Sequence, residues 1–183
     1  MLHDSIKEST EENVALFFVP HLASLGVTTA SRRRGDPDKG EPDFVCTDAS
    51  GNAFGVEIAS GWYSGSDAAQ LRRVVTDLAR DGKRQTVMST SGIEDADLPP
   101  GVIRNPDAKL AANLQVAMES HCLKHYGLPT YLVLDGSWAA LSSAHDAPLI
   151  LAGLAKPAAC PYVEVFLCLV GSYSAGRVFL PVP

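Results

Sequence analysis

The sequence predicts an α/β (or α+β) fold in which a mixed central β-sheet is flanked by helices. Segments with helical periodicity alternate with short apolar runs of strand character, in the order α-β-β-α-(β)-α-β-α-β-β. The length of 183 residues suits a single domain, 1–183, because such a chain buries a substantial core. We find no internal repeat, low-complexity segment or linker that would divide it.

The first predicted element is a helix over residues 5–25. One stripe at helical spacing consists of Glu11, Val14 (or Ala15), Phe18, Leu22 and Leu25. Pro20 is expected to kink or split this helix, and Gly26 is expected to end it. The polar segment 28–41 is then predicted to be a loop, and it contains the densest basic cluster of the chain, Arg32, Arg33 and Arg34.

A β-hairpin is predicted over residues 43–60, with its turn in "DASGN". If the loop holds an odd number of residues, the apolar side chains of both strands share one face, and Asp43 and Glu57 meet on the other. A two-residue loop would place the two acids on opposite faces. The apolar alignment favours the first register.

The later elements follow from the same two periodicities. The predicted helices cover 66–82, 107–125 and 147–155, and the predicted strands cover 84–91, 130–136, 162–171 and 177–182. His121 and His125, four residues apart on the second of these helices, are expected to lie at the surface.

Charge and cysteine content limit the class of protein. The formal net charge of −6 argues against a protein that coats duplex nucleic acid, but not against an enzyme with a local basic patch. None of the four cysteines lies in a CxxC pair, so we expect four reduced thiols, with Cys46 and Cys168 in the core. No signal peptide or apolar run of about 20 residues is present, which predicts a cytoplasmic protein that does not enter a membrane.

Two carboxylates on one face of a hairpin repel each other unless a cation or a proton lies between them. Such oxygen ligands suit Mg²⁺ or Mn²⁺, and a metal of this kind can activate water for attack on a phosphodiester. The alternative is that Asp43 merely begins a strand and that Glu57 pairs with an arginine.

The stretch "EPDF" (41–44), with "VEIA" (56–59) following on the next strand, resembles the PD-(D/E)xK nuclease superfamily. In that family a Pro-Asp at the start of one strand precedes an acidic-x-Lys on the next, between a helix that carries a Glu and a helix that packs on the sheet. Over residues 5–135 the resemblance implies a restriction-endonuclease-like fold. It also implies a metal bound by Asp43 and Glu57 with Glu11 in support.

The sequence departs from the family at Ala59, where the family has a lysine that orients the attacking water. Lys109 is the preferred replacement, Lys83 and Lys124 are further candidates, and Gln70 is an alternative polar contact. The arginines at 32–34 would contact phosphates beside the acids.

The predicted function is therefore metal-dependent hydrolysis of nucleic acid by a site with a relocated lysine. The alternative is a catalytically inactive nuclease-like domain that binds nucleic acid or protein, and a third reading is an assembly domain whose acids are incidental. Ala59 favours the inactive domain, whereas the two acids on one face favour the nuclease. The sequence leaves open DNA versus RNA, specificity, cellular role and oligomeric state, including a homodimer.

Overall fold

The part of the chain that the computed structural model describes comprises residues 2–60, 106–136, 147–170 and 177–183. It contains three α-helices and six strands, with one turn of 3₁₀ helix at Pro37–Lys39. The helices are α1 (Leu2–Ser24), α2 (Pro106–His121) and α3 (Ala147–Ala152), and the strands are β1 (Thr29–Arg34), β2 (Phe44–Asp48), β3 (Ala53–Ser60), β4 (Thr130–Asp135), β5 (Val165–Val170) and β6 (Arg177–Pro181).

The six strands form one mixed sheet in the order β1-β2-β3-β4-β5-β6. The central strands β3, β4 and β5 run parallel, and the pairings β1–β2, β2–β3 and β5–β6 are antiparallel. Helix α1 packs with its apolar stripe on one face, whereas α2 and α3 contribute to a second core cluster. The predicted mixed α/β domain is confirmed.

The hairpin has the predicted odd register. Thr47 pairs with Ala53 and Phe44 pairs with Val56, so an odd number of residues, the five at 48–52, separates the last paired positions of the two strands. The Asp48 carboxylate accepts hydrogen bonds from the backbone N–H of Ser50 and of Asn52, both at 2.8 Å, which closes the turn. As a result, the apolar side chains of both strands lie in the core cluster beneath α1.

Helix α1 begins and ends close to the predicted positions, but it is not split at Pro20. The carbonyl that loses its partner at Pro20 belongs to Leu16, whose side chain is 59% exposed, so water can reach this side of the helix. Gly26, at φ +90°, supplies the left-handed residue after the helix, and the N–H of Val27 donates to the carbonyl of Leu22. Leu25 lies beyond the helix and is exposed, contrary to the predicted stripe.

The arginine-rich segment forms strand β1, so the prediction of a loop there is wrong. Its sequence shows no apolar alternation because β1 lies at the outer side of β2 and is mostly exposed. The guanidinium groups of Arg32 and Arg34 lie over the ring of Phe44, at 5.1 and 5.3 Å from its centroid. Cation–π contacts and backbone pairing thus replace the missing apolar face.

The cysteine prediction is half correct. Cys46 and Cys168 are buried thiols, but Cys122 and Cys160 form a disulfide, with their Cα atoms 4.7 Å apart. The two residues are 38 positions apart in the sequence, so only the fold brings the end of α2 against the segment before β5.

Two further differences concern the ends of elements. Helix α2 ends at His121 rather than at residue 125, and β5 begins at Val165 rather than at residue 162. The predicted helix 66–82 and strand 84–91 lie outside the described residues. No helix among the described ones is both long and apolar enough to cross a membrane.

Gly35 makes close backbone packing possible beside Pro42 and Asp43. Its N–H donates to the carbonyl of Asp43 at 2.9 Å, and a Cβ at this position would overlap the carbonyl oxygen of Pro42. We expect Gly35→Ala to lower the free energy of unfolding by about 2–3 kcal/mol, as overpacking does. Gly127→Ala is the control, because a Cβ there meets nothing within 4 Å. Equal urea midpoints for the two variants would contradict this prediction.

Candidate functional site

A pocket of about 270 Å³ lies where α1, the β2–β3 hairpin and the end of α2 meet. Its lining combines acidic and basic side chains. The residues are Lys7, Thr10, Glu11, Asp43, Glu57, Ile58, Ala59, Ser60, His121 and Lys124. The pocket thus brings together all three carboxylates singled out from the sequence.

Asp43 and Glu57 are held by each other's strands. The N–H of Asp43 donates to Glu57 Oε2 at 3.1 Å, and the N–H of Ile58 donates to Asp43 Oδ2 at 2.8 Å. Both contacts depend on the hairpin register, since a slip of one residue would turn the acids to opposite faces. The backbone therefore fixes the positions of both carboxylates.

Glu11 reaches the pocket from α1 and is only 3% exposed. Its carboxylate pairs with Lys7 one turn earlier, at 3.2 Å, and with the guanidinium of Arg34 on β1. The third carboxylate is thus neutralised mainly from the α1 and β1 side.

Burial and the charges in the pocket both act on Asp43. Burial, the negative charge of Glu57 and that of Glu11 raise the pKa of Asp43 to about 7, against the opposing effects of the Ile58 hydrogen bond and of Lys7. A proton on Asp43 relieves this repulsion, and so would a cation between the carboxylates.

This shift predicts a pH dependence of stability in metal-free protein. Folded Asp43 keeps its proton up to about pH 7, whereas the unfolded chain loses it near pH 4, so the folded state binds more protons between these values and its stability falls as pH rises. We expect the stability of Asp43→Asn relative to wild type to increase from about pH 4.5 to 8, as measured by urea unfolding.

Asp48→Asn provides the control for this experiment. Hydrogen bonds from Asn52 lower the pKa of Asp48, so its pH-dependent contribution is complete above about pH 4. The difference between Asp48→Asn and wild type should stay constant from pH 4.5 to 8. If the stability difference between Asp43→Asn and wild type also stayed constant over this range, the raised pKa of Asp43 would be contradicted.

Among the described lysines, Lys124 makes the shortest contact with a carboxylate of the pocket. Its Nζ donates to Glu57 Oε1 at 2.6 Å, so Glu57 pairs with a lysine rather than with an arginine. Lys109, the preferred candidate from the sequence, lies near the start of α2 and does not line the pocket. Lys83 and Gln70 lie outside the described residues.

His121 lies beside the same carboxylate, although we expected it at the surface. Its Nδ1 is 2.8 Å from the carbonyl oxygen of Ala117, which only accepts, so Nδ1 carries the proton. Its Nε2 is 3.5 Å from Glu57 Oε1, and burial lowers the pKa of the imidazole. The missed signal is the helical spacing of His121 from the buried residues Leu114 and Met118. His125 is exposed, as expected.

Tyr126 completes the surroundings of Glu57. Burial, together with the negative charge of Glu57, raises the pKa of Tyr126, and the ring packs against Tyr162 with centroids 6.4 Å apart. The phenol therefore stays protonated near this carboxylate. No sequence motif indicates this contact, since it arises from the chain after α2.

The three arginines singled out as phosphate contacts all make ion pairs with carboxylates. Arg32 pairs with Glu12, Arg34 pairs with Glu11, and Arg33 forms a two-point contact with Glu41 at 2.6 and 2.8 Å. A phosphate bound here would have to exchange with these carboxylates.

Ala59, at the position of the family's lysine, is 1% exposed and packs in the cluster that contains Leu110 and Leu114 of α2. A long charged side chain there would displace this core. Within the described ranges, no group of three or more His, Cys, Asp or Glu side chains is arranged so that it could hold a metal ion. A metal in this pocket would therefore rely on one or two carboxylates and on water, as Mg²⁺ often does.

Comparison of the chain with protein-family models, with curated proteins and with solved structures gave no match in any of the three.

Proposed function

We propose that this protein hydrolyses phosphodiester bonds of nucleic acid with a divalent metal, in a PD-(D/E)xK-like site whose lysine has moved to position 124. The observation that carries the proposal is the contact of 2.6 Å between Lys124 Nζ and Glu57 Oε1, in a pocket that also contains Asp43 and Glu11. The motif of the nuclease superfamily places an amine beside a pair of carboxylates. Ala59 removes this amine from its usual position, and Lys124 would supply it instead.

The donor set of the pocket fits Mg²⁺ or Mn²⁺. Asp43 and Glu57 would hold the ion through carboxylate oxygens, and water would complete the coordination. Glu11, which pairs with Lys7 and Arg34, would add negative charge nearby. The raised pKa of Asp43 supports this, because it reflects burial together with the negative charges of Glu57 and Glu11, which a cation would offset. A bound divalent metal would polarise a phosphoryl oxygen and lower the pKa of a water molecule.

The chain's own residues would act as follows. The backbone N–H groups of Asp43 and Ile58 fix the two carboxylates, so little reorganisation is needed when a substrate binds. Lys124, positioned by Glu57, would donate to a non-bridging phosphate oxygen and stabilise the negative charge that develops there. Burial and the charge of Glu57 keep Tyr126 protonated near this carboxylate.

The order of elements supports a restriction-endonuclease-like fold. Helix α1, which carries Glu11, precedes the acidic hairpin, and α2 follows it and packs near β3 and β4. These are the neighbours that the resemblance to the nuclease superfamily implies for the hairpin.

The second candidate is an inactive nuclease-like domain that binds nucleic acid or protein. The observation that favours it is the burial of Ala59 in the α2 cluster, which excludes an amine from the family's usual position. The two candidates differ in one property, cleavage, because both retain the acidic pocket.

The test is cleavage of single- and double-stranded DNA and RNA by purified protein, with Mg²⁺, with Mn²⁺ and with excess chelator. Cleavage that requires metal and is lost in Asp43→Ala supports the proposal. Cleavage that persists in Asp43→Ala points to another site or to a contaminant. Binding of nucleic acid without cleavage by wild type would favour the second candidate.

A lysine comparison separates the two replacement candidates. We expect Lys124→Met to lower metal-dependent cleavage by about 10²-fold, because it removes a donor aimed at the developing charge. Lys109→Met serves as the matched control and should leave cleavage unchanged, since Lys109 does not line the pocket. The opposite ranking of the two variants would assign the role to Lys109 instead.

A further inference from the structure

We propose that the Cys122–Cys160 disulfide positions Lys124 and places the Lys124–Glu57 contact under redox control. Cys122 lies two residues before Lys124 and directly after His121, the two residues whose side chains approach Glu57 Oε1. The functional consequence, redox-dependent cleavage, rests on the proposed function, whereas the control of the contact itself does not.

The disulfide joins two segments where α2 has already ended. Helix α2 ends at His121, and the N–H of Lys124 donates to the carbonyl of His121 in the turn that follows. On the other side, Cys160 lies before β5, and the hydroxyl of Tyr162 donates to the same His121 carbonyl at 3.3 Å. The covalent bond thus anchors the turn that carries Lys124 to the segment in front of β5.

The body of α2 has a separate anchor on the same segment. Gln115 forms two hydrogen bonds with the backbone of Ala155, at 2.9 and 3.1 Å, nearly two turns before Cys122. Reduction would therefore leave the helix docked and release mainly its C-terminal turn. Local opening of this kind changes the position of one side chain without unfolding the domain.

The chemistry requires a dithiol reductant. Its thiolate attacks the sulfur of Cys160, the less buried of the two cysteines, and the sulfur–sulfur bond breaks with Cys122 leaving as a thiolate. The second thiol of the reductant resolves the mixed disulfide. The protein gains two electrons and two protons, and the reductant becomes a cyclic disulfide. Reduction and oxidation of this kind are used for regulation in reducing compartments.

The experiment measures the rate at which Lys124 is acetylated by an amine-reactive ester, by peptide mass spectrometry, in full-length protein before and after treatment with dithiothreitol. We expect reduction to raise the Lys124 rate by about 3-fold or more, because the amine is released from Glu57. The rates at Lys39 and Lys109, which lie away from the disulfide, should stay unchanged. Cys160→Ser should show the raised Lys124 rate without reductant and should not respond to it.

Two results would overturn the inference. One is an equal Lys124 rate in the oxidised and reduced protein. The other is a parallel rise at Lys39 and Lys109 with loss of the circular dichroism signal, which would make the disulfide a support for the whole domain. Cleavage is measured separately, and reduction should lower it by about 10-fold. A selective Lys124 response in protein that never cleaves supports the redox-controlled contact and rejects the nuclease proposal alone.

Discussion

Replacing Glu57 with glutamine is expected to lower metal-dependent cleavage by about 10³-fold or more while the domain stays folded. Glu57 is 3% exposed, and its carboxylate contacts three other residues around the pocket, namely Asp43, His121 and Lys124. The substitution keeps the shape of the side chain but removes the charge that would hold a metal ion and that orients the lysine.

The hydrogen bonds of the glutamine cannot match those of the carboxylate. In wild type, Oε2 accepts from the Asp43 N–H and Oε1 accepts from Lys124, so both oxygens face donors. An amide has one oxygen and one NH₂ group, and either orientation turns the NH₂ group towards a donor. The variant must therefore lose either the backbone contact that fixes Asp43 or the contact that holds Lys124.

The free energy of unfolding of Glu57→Gln should change much less than its cleavage activity. Removing the charge of Glu57 lessens its repulsion with Asp43, whose pKa should fall towards the usual range of an aspartate. The relieved repulsion and the lost hydrogen bond have opposite effects on stability, so we expect a urea midpoint at neutral pH close to that of wild type. Glu12→Gln is the matched control, because Glu12 lies on α1 and pairs with Arg32 outside the pocket. Unchanged cleavage in Glu57→Gln would remove the basis of the proposed function.

The hairpin could be predicted from sequence because its information is local. The alternation of Phe44 and Cys46 on one strand and of Phe54 and Val56 on the other allows one register that buries all four. That register alone brings Asp43 beside Glu57. Glu11 could be placed for a similar reason, since its spacing from the buried Val14 and Phe18 puts it on the inner side of α1.

The rest of the site depends on contacts between distant segments. Lys124 is 67 residues from Glu57 in sequence, and it lies beyond the end of α2, where helical periodicity gives no direction. The Cys122–Cys160 bond and the Tyr126 contact follow from the same meeting of the α2 end with the hairpin and the segment before β5. Strand β1 was not predicted because its sequence lacks the apolar alternation of a strand. Its arginines instead lie over the ring of Phe44 on the neighbouring strand.

A second charged cluster, formed by Asp135 and Arg177, lies at the end of β4 and includes none of the pocket carboxylates. Asp135 is buried, and its Oδ1 is 3.4 Å from Nη1 of Arg177, whose side chain is 9% exposed. The same guanidinium donates to Oδ1 of Asn13 on α1 at 2.8 Å and lies 3.6 Å from the sulfur of Cys168. Arg177 thereby links β4, β6 and α1 across the sheet.

Arg177→Met is expected to lower the free energy of unfolding by about 2–3 kcal/mol, because it removes charge-assisted hydrogen bonds from the guanidinium to Asp135 and Asn13. Methionine keeps most of the aliphatic volume, so the loss reports the charge rather than a cavity. Arg33→Met is the control, since its pair with Glu41 is exposed and should contribute far less. Urea unfolding of both variants decides the point, and similar midpoints would mean that Asp135 is satisfied without Arg177. Asp135 pairs in register with Ser60, which lines the pocket, so this buried pair lies at the strand ends beside the site.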